Sequence, residues 1–128
     1  VQASRLEMAV NVAMTHRLYV VLKGSRTIVA TPDGSAHINL TGNAGMATGG
    51  TGDVLTGAIA GWLAQLMDAE LACRLGVYLH GLAGDLAEAD VGEVAMTAVD
   101  VLDHLGDAVL ELSARRKAAR KSEQRTVG

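Results

Sequence analysis

Gly42-Asn-Ala-Gly-Met-Ala-Thr-Gly-Gly-Thr-Gly-Asp53 decides how this chain is read. Five glycines and two threonines fall within twelve residues, and one acid closes the run. An apolar stretch of helical spacing follows at once. Glycine lets a backbone take positive φ and lets another molecule approach it closely. A helix N-terminus offers unpaired N–H groups and a partial positive charge. A glycine-rich loop entering such a terminus is an anion site, and phosphate is the usual anion. Asp53 places a carboxylate where phosphate would sit, an odd position unless the acid does chemistry.

Gly49, Gly50, Thr51 and Gly52 form the expected anion-holding segment, with the amides of Gly50 to Asp53 turned towards a phosphate. Asp53 then suits a general base that takes the proton of a hydroxyl attacking that phosphate. The competing reading is that Asp53 or Thr51 only caps the following helix. A P-loop is excluded, because its last glycine is followed by Lys and here Asp53 follows Gly52. A dinucleotide fingerprint has no clean match in the loop.

Lys23-Gly24-Ser25-Arg26-Thr27 is the second polar constellation. Lys23 and Arg26 bring positive charge, and Ser25 and Thr27 bring hydroxyls. Such a turn can hold a nucleotide phosphate or ribose; an ordinary polar turn has the same composition. The histidines His16, His37, His80 and His104 fall in no recognised metal-ligand spacing, so no protein metal site is expected. His80 reads as a buried, hydrogen-bonded histidine and Cys73 as small core filler. Asp85, in His80-Gly-Leu-Ala-Gly-Asp85, has the chemistry to meet Mg²⁺ through water.

Working outward, residues 2–15 show apolar positions at helical spacing. Tyr19–Leu22, Thr27–Thr31 and His37–Thr41 read as short strands, the last two forming an antiparallel hairpin about Pro32-Asp33-Gly34. Val54, Leu55, Ala58, Ile59, Trp62, Leu63 and Leu66 make one helical stripe. A second helix is expected over 68–90, with Leu71, Leu75, Tyr78, Leu79, Leu82 and Leu86 facing inward. Gly76, Gly81 and Gly84 weaken it by roughly 1 kcal/mol each against Ala, and allow close contacts. Thr97 suits the N-cap of a third helix near 98–112. Three strands followed only by helices make the later half of a layered α/β domain.

Composition narrows the class further. The 128 residues are 49% hydrophobic but hold one Trp, two Tyr and no Phe. Ala, Leu, Val and Gly must therefore fill the core. A lone Cys73 allows no intrachain disulfide and suits a reducing compartment. The apolar run Val54 to Met67 falls short of the ~20 residues of a membrane span. No signal-peptide pattern follows Val1, and the lack of an initiator Met suggests a piece of a longer chain. Residues 1–112 carry 5 Lys/Arg and 13 Asp/Glu, whereas 113–128 carry 6 and 1. That basic end is expected to be a solvated, frayed tail, although its charge also suits an acidic surface or nucleic acid.

Taken together, Val20-Val-Leu-Lys-Gly-Ser-Arg-Thr27, Thr31-Pro-Asp-Gly34, the Gly42–Gly57 run and His80-Gly-Leu-Ala-Gly-Asp85 stand in one familiar order. They resemble the ADP-dependent NAD(P)H-hydrate dehydratase family of the ribokinase-like superfamily, over residues 1–112. Ala95-Met-Thr-Ala-Val-Asp100 agrees more weakly.

The resemblance implies an α/β/α ribokinase-like sandwich, present here as its C-terminal half. It implies ADP-dependent dehydration of (6S)-NADHX and (6S)-NADPHX to NADH and NADPH, giving AMP and phosphate. Lys23, Gly24, Ser25, Arg26, Thr27 and Gly52 would bind the nucleotide, ADP or ATP with Mg²⁺. Asp53 would contact the hydrate and act as the base. A cytoplasmic homo-oligomer, in this family often a tetramer, follows from the same resemblance, as does fusion to an epimerase domain in some members; neither nucleic acid nor membrane is an implied partner. The family's His-Pro-Gly-Glu-like motif is missing, which leaves the fragment's own activity open. A small-molecule kinase of hydroxymethylpyrimidine or thiazole type, or a non-catalytic fragment, remains the alternative.

Overall fold

The computed structural model describes residues 2–127; Val1 and Gly128 fall outside the described residues. Helix α1 spans Gln2–His16, and strands β1, β2 and β3 span Val20–Leu22, Ile28–Ala30 and Ala36–Ile38. Helices α2 (Thr51–Leu66), α3 (Ala69–Val91), α4 (Ala98–Asp103) and α5 (Leu105–Val127) complete the order. A 3₁₀ turn at Ala44–Met46 interrupts the glycine loop.

The strands form one sheet in the order β1-β2-β3, antiparallel throughout. Val21 pairs with Val29, and Val29 with His37. Side chains alternate across a strand, and two apolar clusters show the result. Ile28 and Ala30 of β2 pack with Ala9 and Ala13 of α1, joined by Val20 and Leu22. Val29, between them, turns the other way and meets Leu55 of α2 with Cys73 and Val77 of α3. The sheet is thus a middle layer between α1 and the α2–α3 pair. All three β2 residues are buried, as a central strand covered on both faces should be. A third cluster, around Leu79, Leu82, Ala87, Met96, Val101 and Ala108, joins α3 to α4 and α5.

Four sequence expectations meet corrections. Alternation extends the third strand over His37–Thr41, but β3 ends at Ile38, after which one last bond runs from the Asn39 amide to the Thr27 carbonyl at 2.8 Å. The side chains of Asn39 and Thr41 reach α3, donating to the carbonyls of Val77 and Tyr78 at 3.4 and 2.9 Å. Leu63, Leu66 and Leu71, expected on inner faces, are exposed.

The helix expected near 98–112 is broken at His104. Its amide reaches the carbonyls of both Asp100 and Val101 at 3.2 Å, and its Nδ1 lies 2.7 Å from the Asp100 carbonyl. Thr97 caps α4 as expected, within a full capping box completed by Asp100. The basic segment after 112, expected as a frayed tail, is helical through Val127. Its Ala, Arg, Lys, Glu and Gln residues are strong helix formers. Arg115 ties it to α3 through the Tyr78 hydroxyl at 2.9 Å and pairs within α5 with Glu111 at 2.6 Å.

Candidate active site

The glycine loop is seated on α3 by contacts that need small residues beneath it. A Cβ on Gly81 would overlap the Thr41 hydroxyl, and one on Gly84 would overlap the Met46 sulfur. The close contacts expected of the α3 glycines are thus present, including Gly76 against Ile59 of α2. Asp85, one turn further on, accepts from the Gly42 amide at 3.1 Å and from Asn43 Nδ2 at 3.0 Å. Both its oxygens serve the loop. Asn43 Oδ1 in turn accepts from the Gly45 amide at 3.0 Å and starts the 3₁₀ turn.

Gly50 is the N-cap of α2 with φ of 93°, a conformation that favours glycine, so neither Thr51 nor Asp53 holds the N-cap position. The capping reading of Asp53 and Thr51 therefore fails. Asp53 is exposed in the first turn, where its charge faces the positive end of the helix. Thr51 is buried and its hydroxyl donates to the carbonyls of Met46 at 2.7 Å and Thr48 at 3.0 Å. It fastens the loop to the helix start.

The expected cradle of four amides is narrower in the structure. The Asp53 amide bonds to the Gly50 carbonyl at 3.1 Å, and the Thr51 amide reaches the Thr48 carbonyl at 3.5 Å. Among the described residues, Gly50 and Gly52 keep amides without a backbone acceptor outside the helix. Gly49 is exposed, with open space around it.

Lys23 reaches this helix start from the β1–β2 turn. A Cβ on Gly52 would stand 2.9 Å from Lys23 Nζ, so the ammonium lies over the first turn of α2. Arg5 of α1 holds the turn from behind, donating to the carbonyls of Lys23 at 3.0 Å and of Leu22 and Arg26 at 3.4 Å. A Cβ on Gly24 would overlap its guanidinium. Sequence reading passes over Arg5, because it lies in α1, 17 or more residues from the carbonyls it binds.

A cleft of about 530 Å³ opens between these parts. Lys23, Gly24, Ser25 and Thr27 line one side, Thr51 and His80 the other. Arg26, Gly49, Gly50, Gly52 and Asp53 do not line it. His80 is buried, and its Nε2 lies 2.9 Å from the Thr51 carbonyl, as a donor. Burial pushes its pKa below the ordinary value, the Thr51 bond partly opposes this, and the nearby Lys23 charge adds to the lowering. His80 is therefore a neutral ring that anchors the start of α2, which agrees with the structural reading of it.

Cys73 is buried and burial raises its thiol pKa, so it is inert core filler as expected. Among the described residues no three His, Cys, Asp or Glu side chains gather as a metal cage. No described helix is long and apolar enough to cross a membrane.

A sheet between helical layers, with a lysine ammonium over a glycine-initiated helix terminus, defines a layered α/β protein whose helix start suits an anion. Residues 1–106 match the model of the NAD(P)H-hydrate dehydratase family, and the chain belongs to that family. It is 49% identical over 112 residues to the bifunctional NAD(P)H-hydrate repair enzyme Nnr of Thermofilum pendens, covering 88% of this chain and 21% of that protein. It is 42% identical over 95 residues to the ADP-dependent (S)-NAD(P)H-hydrate dehydratase of Neisseria meningitidis, covering 74% of this chain and 32% of the relative.

The fold superposes on the ADP/ATP-dependent NAD(P)H-hydrate dehydratase of Bacillus subtilis, co-crystallized with ATP/Mg²⁺, with a TM-score of 0.81. Identity there is 37%, over 86% of this chain and 40% of that one. The chain is thus a fragment of the ribokinase-like dehydratase fold and spans less than half the length of these relatives.

Proposed function

We propose that the protein carrying this chain is an ADP-dependent NAD(P)H-hydrate dehydratase, and that this chain supplies the nucleotide wall of its site. The observation that carries the reading is the Lys23 ammonium over Gly52, one residue before Asp53. A cation, open first-turn amides and an acid at one helix start are the parts phosphoryl transfer needs.

In this reading Lys23, Gly24, Ser25, Arg26 and Thr27 hold the nucleotide, and Gly52 admits its phosphate to the helix terminus. Gly49, Gly50 and Thr51 shape the loop around the anion. Asp53 contacts the hydrate and takes the proton from its C6 hydroxyl. That oxygen receives the terminal phosphoryl of ADP and AMP departs. Hydroxide leaves poorly; phosphate leaves well. Loss of phosphate from C6 and of a proton from C5 restores the dihydropyridine.

This chain brings no metal cage among its described residues, and Mg²⁺ is commonly held through substrate phosphates and a few carboxylates. No step here is routed through the metal. The name "bifunctional" on several relatives supports a second activity in the whole protein, which this reading assigns to a fused epimerase domain. A homo-oligomer in the cytoplasm completes the reading.

The test is to give the full-length protein NADHX and ADP and follow the return of NADH absorbance, with AMP and phosphate as products. Phosphorylation of a vitamin precursor from ATP, with NADHX untouched, would overturn the reading in favour of a kinase.

A further inference from the structure

We propose that Asp85 is a positioning residue for the nucleotide site, acting through Gly42 and Asn43 on the loop that begins α2. The proposal rests on the reading that the cleft takes an adenine nucleotide. Asp85 lies on α3, beside Gly81 and Gly84, the two glycines on which Thr41 and Met46 rest. Those contacts set how close the loop lies to α3. The carboxylate sets how it is turned.

One oxygen accepts from the Gly42 amide and the other from Asn43 Nδ2, at 3.1 and 3.0 Å. Gly42 has φ of 107°, so the amide is aimed by a backbone shape that a side chain would strain. Asn43 cannot be reversed, because its Oδ1 already accepts from Gly45. From there the path is short. The 3₁₀ turn ends at Met46, whose carbonyl accepts from Thr51, the first residue of α2. Gly52, under Lys23, comes next.

The pattern of donors requires a carboxylate at 85. Two donors face it, from two residues, so an amide there would set its own NH₂ against one of them. The polarity is reversible, however. With Asp85→Asn and Asn43→Asp together, the amide oxygen introduced at position 85 accepts from Gly42. Its NH₂ donates to the carboxylate introduced at position 43, whose second oxygen accepts from Gly45. Every bond is kept, with the charge moved across the contact.

The experiment uses the full-length protein, with calorimetric ADP binding, steady-state kinetics and thermal melts. Asp85→Asn should raise the ADP Kd and KM about tenfold, the loss expected for a charge-assisted bond. The KM for the hydrate should rise less than that for ADP. The double exchange should restore ADP affinity to within about threefold. If Asp85→Asn fails to fold, the double variant carries the test alone. Unchanged ADP affinity in a folded Asp85→Asn, or a double variant still tenfold weak, overturns the proposal. A wild type that binds ADP but ignores NADHX overturns the reaction and leaves the affinity comparison decisive for Asp85. A wild type that binds no adenine nucleotide overturns both.

Discussion

Gly52 lies beneath the ammonium of Lys23, so close that a Cβ there would stand 2.9 Å from Nζ. The residue is small because the cation needs the space. Lys23 ends in a flexible stem, so a methyl group at 52 can push it aside at little cost to the fold. Gly52→Ala is therefore expected to leave the melting temperature within a few degrees while weakening ADP roughly tenfold, as for one charge-assisted contact. Calorimetry and a thermal melt read the two effects separately. Equal loss of stability and affinity would assign Gly52 to packing.

Asp53, the proposed base, is tested in a different way. It is exposed and caps nothing, so the fold asks little of it. Asp53→Asn should abolish turnover while ADP binding changes less than about threefold. Stability should fall by only about 0.5 kcal/mol, the worth of a carboxylate at a helix N-terminus. Retained turnover would remove Asp53 as the base.

His80 sets a pH dependence whose sign follows from its burial. Its folded pKa lies below the unfolded value of 6.5, mainly because the ring is desolvated. Its contribution is then full above pH 6.5 and lost as pH falls from there through the folded pKa. The steepest slope for one proton is about 1.4 kcal/mol per pH unit. His104 works in the opposite sense. Its pKa is raised, chiefly by its bond to the Asp100 carbonyl, so its contribution fades as pH rises. Comparing wild type with His80→Gln at matched pH isolates the first effect. The stability difference between them should narrow below pH 6.5; a constant gap would show that His80 titrates alike in both states.

What the sequence makes legible is whatever depends on near neighbours. Helical spacing places α1 and α3 to within a residue and finds the body of α2, whose first turn, Thr51 to Asp53, lies ahead of the apolar stripe. The Thr97 cap and the Pro32-Asp33-Gly34 turn are read from residues two or three apart. The glycine loop and the Lys23 turn are visible as composition. Their meeting is implied only by the family resemblance and not by any local pattern, because Gly52 lies 25 or more positions from the Lys23 to Thr27 turn. Arg5 on the Lys23 turn, His80 on Thr51 and Asp85 on Gly42 bridge 17 to 43 positions. No periodicity carries such pairs. The helical end of α5 escapes for another reason: a run of Arg and Lys reads first as charge, when the same residues are also good helix formers.

The glycines of α2 and α3 should respond to alanine with opposite signs. Gly57 and Gly61 sit on α2 with nothing within 4 Å of an added Cβ. Alanine there removes backbone freedom from the unfolded chain and fits the helix, so each change should stabilise by up to about 1 kcal/mol. Gly81 sits on α3 under Thr41, whose carbonyl carbon would lie 2.7 Å from the new Cβ. That neighbour is backbone and cannot swing away. Gly81→Ala should therefore destabilise by about 1–3 kcal/mol despite the better propensity. It should also weaken ADP, since lifting Thr41 lifts the loop. Denaturant melts of the three variants in the full-length protein check the signs. A stabilising Gly81→Ala would mean that the loop does not rest on α3 in solution, and the route from Asp85 to the nucleotide would fall with it.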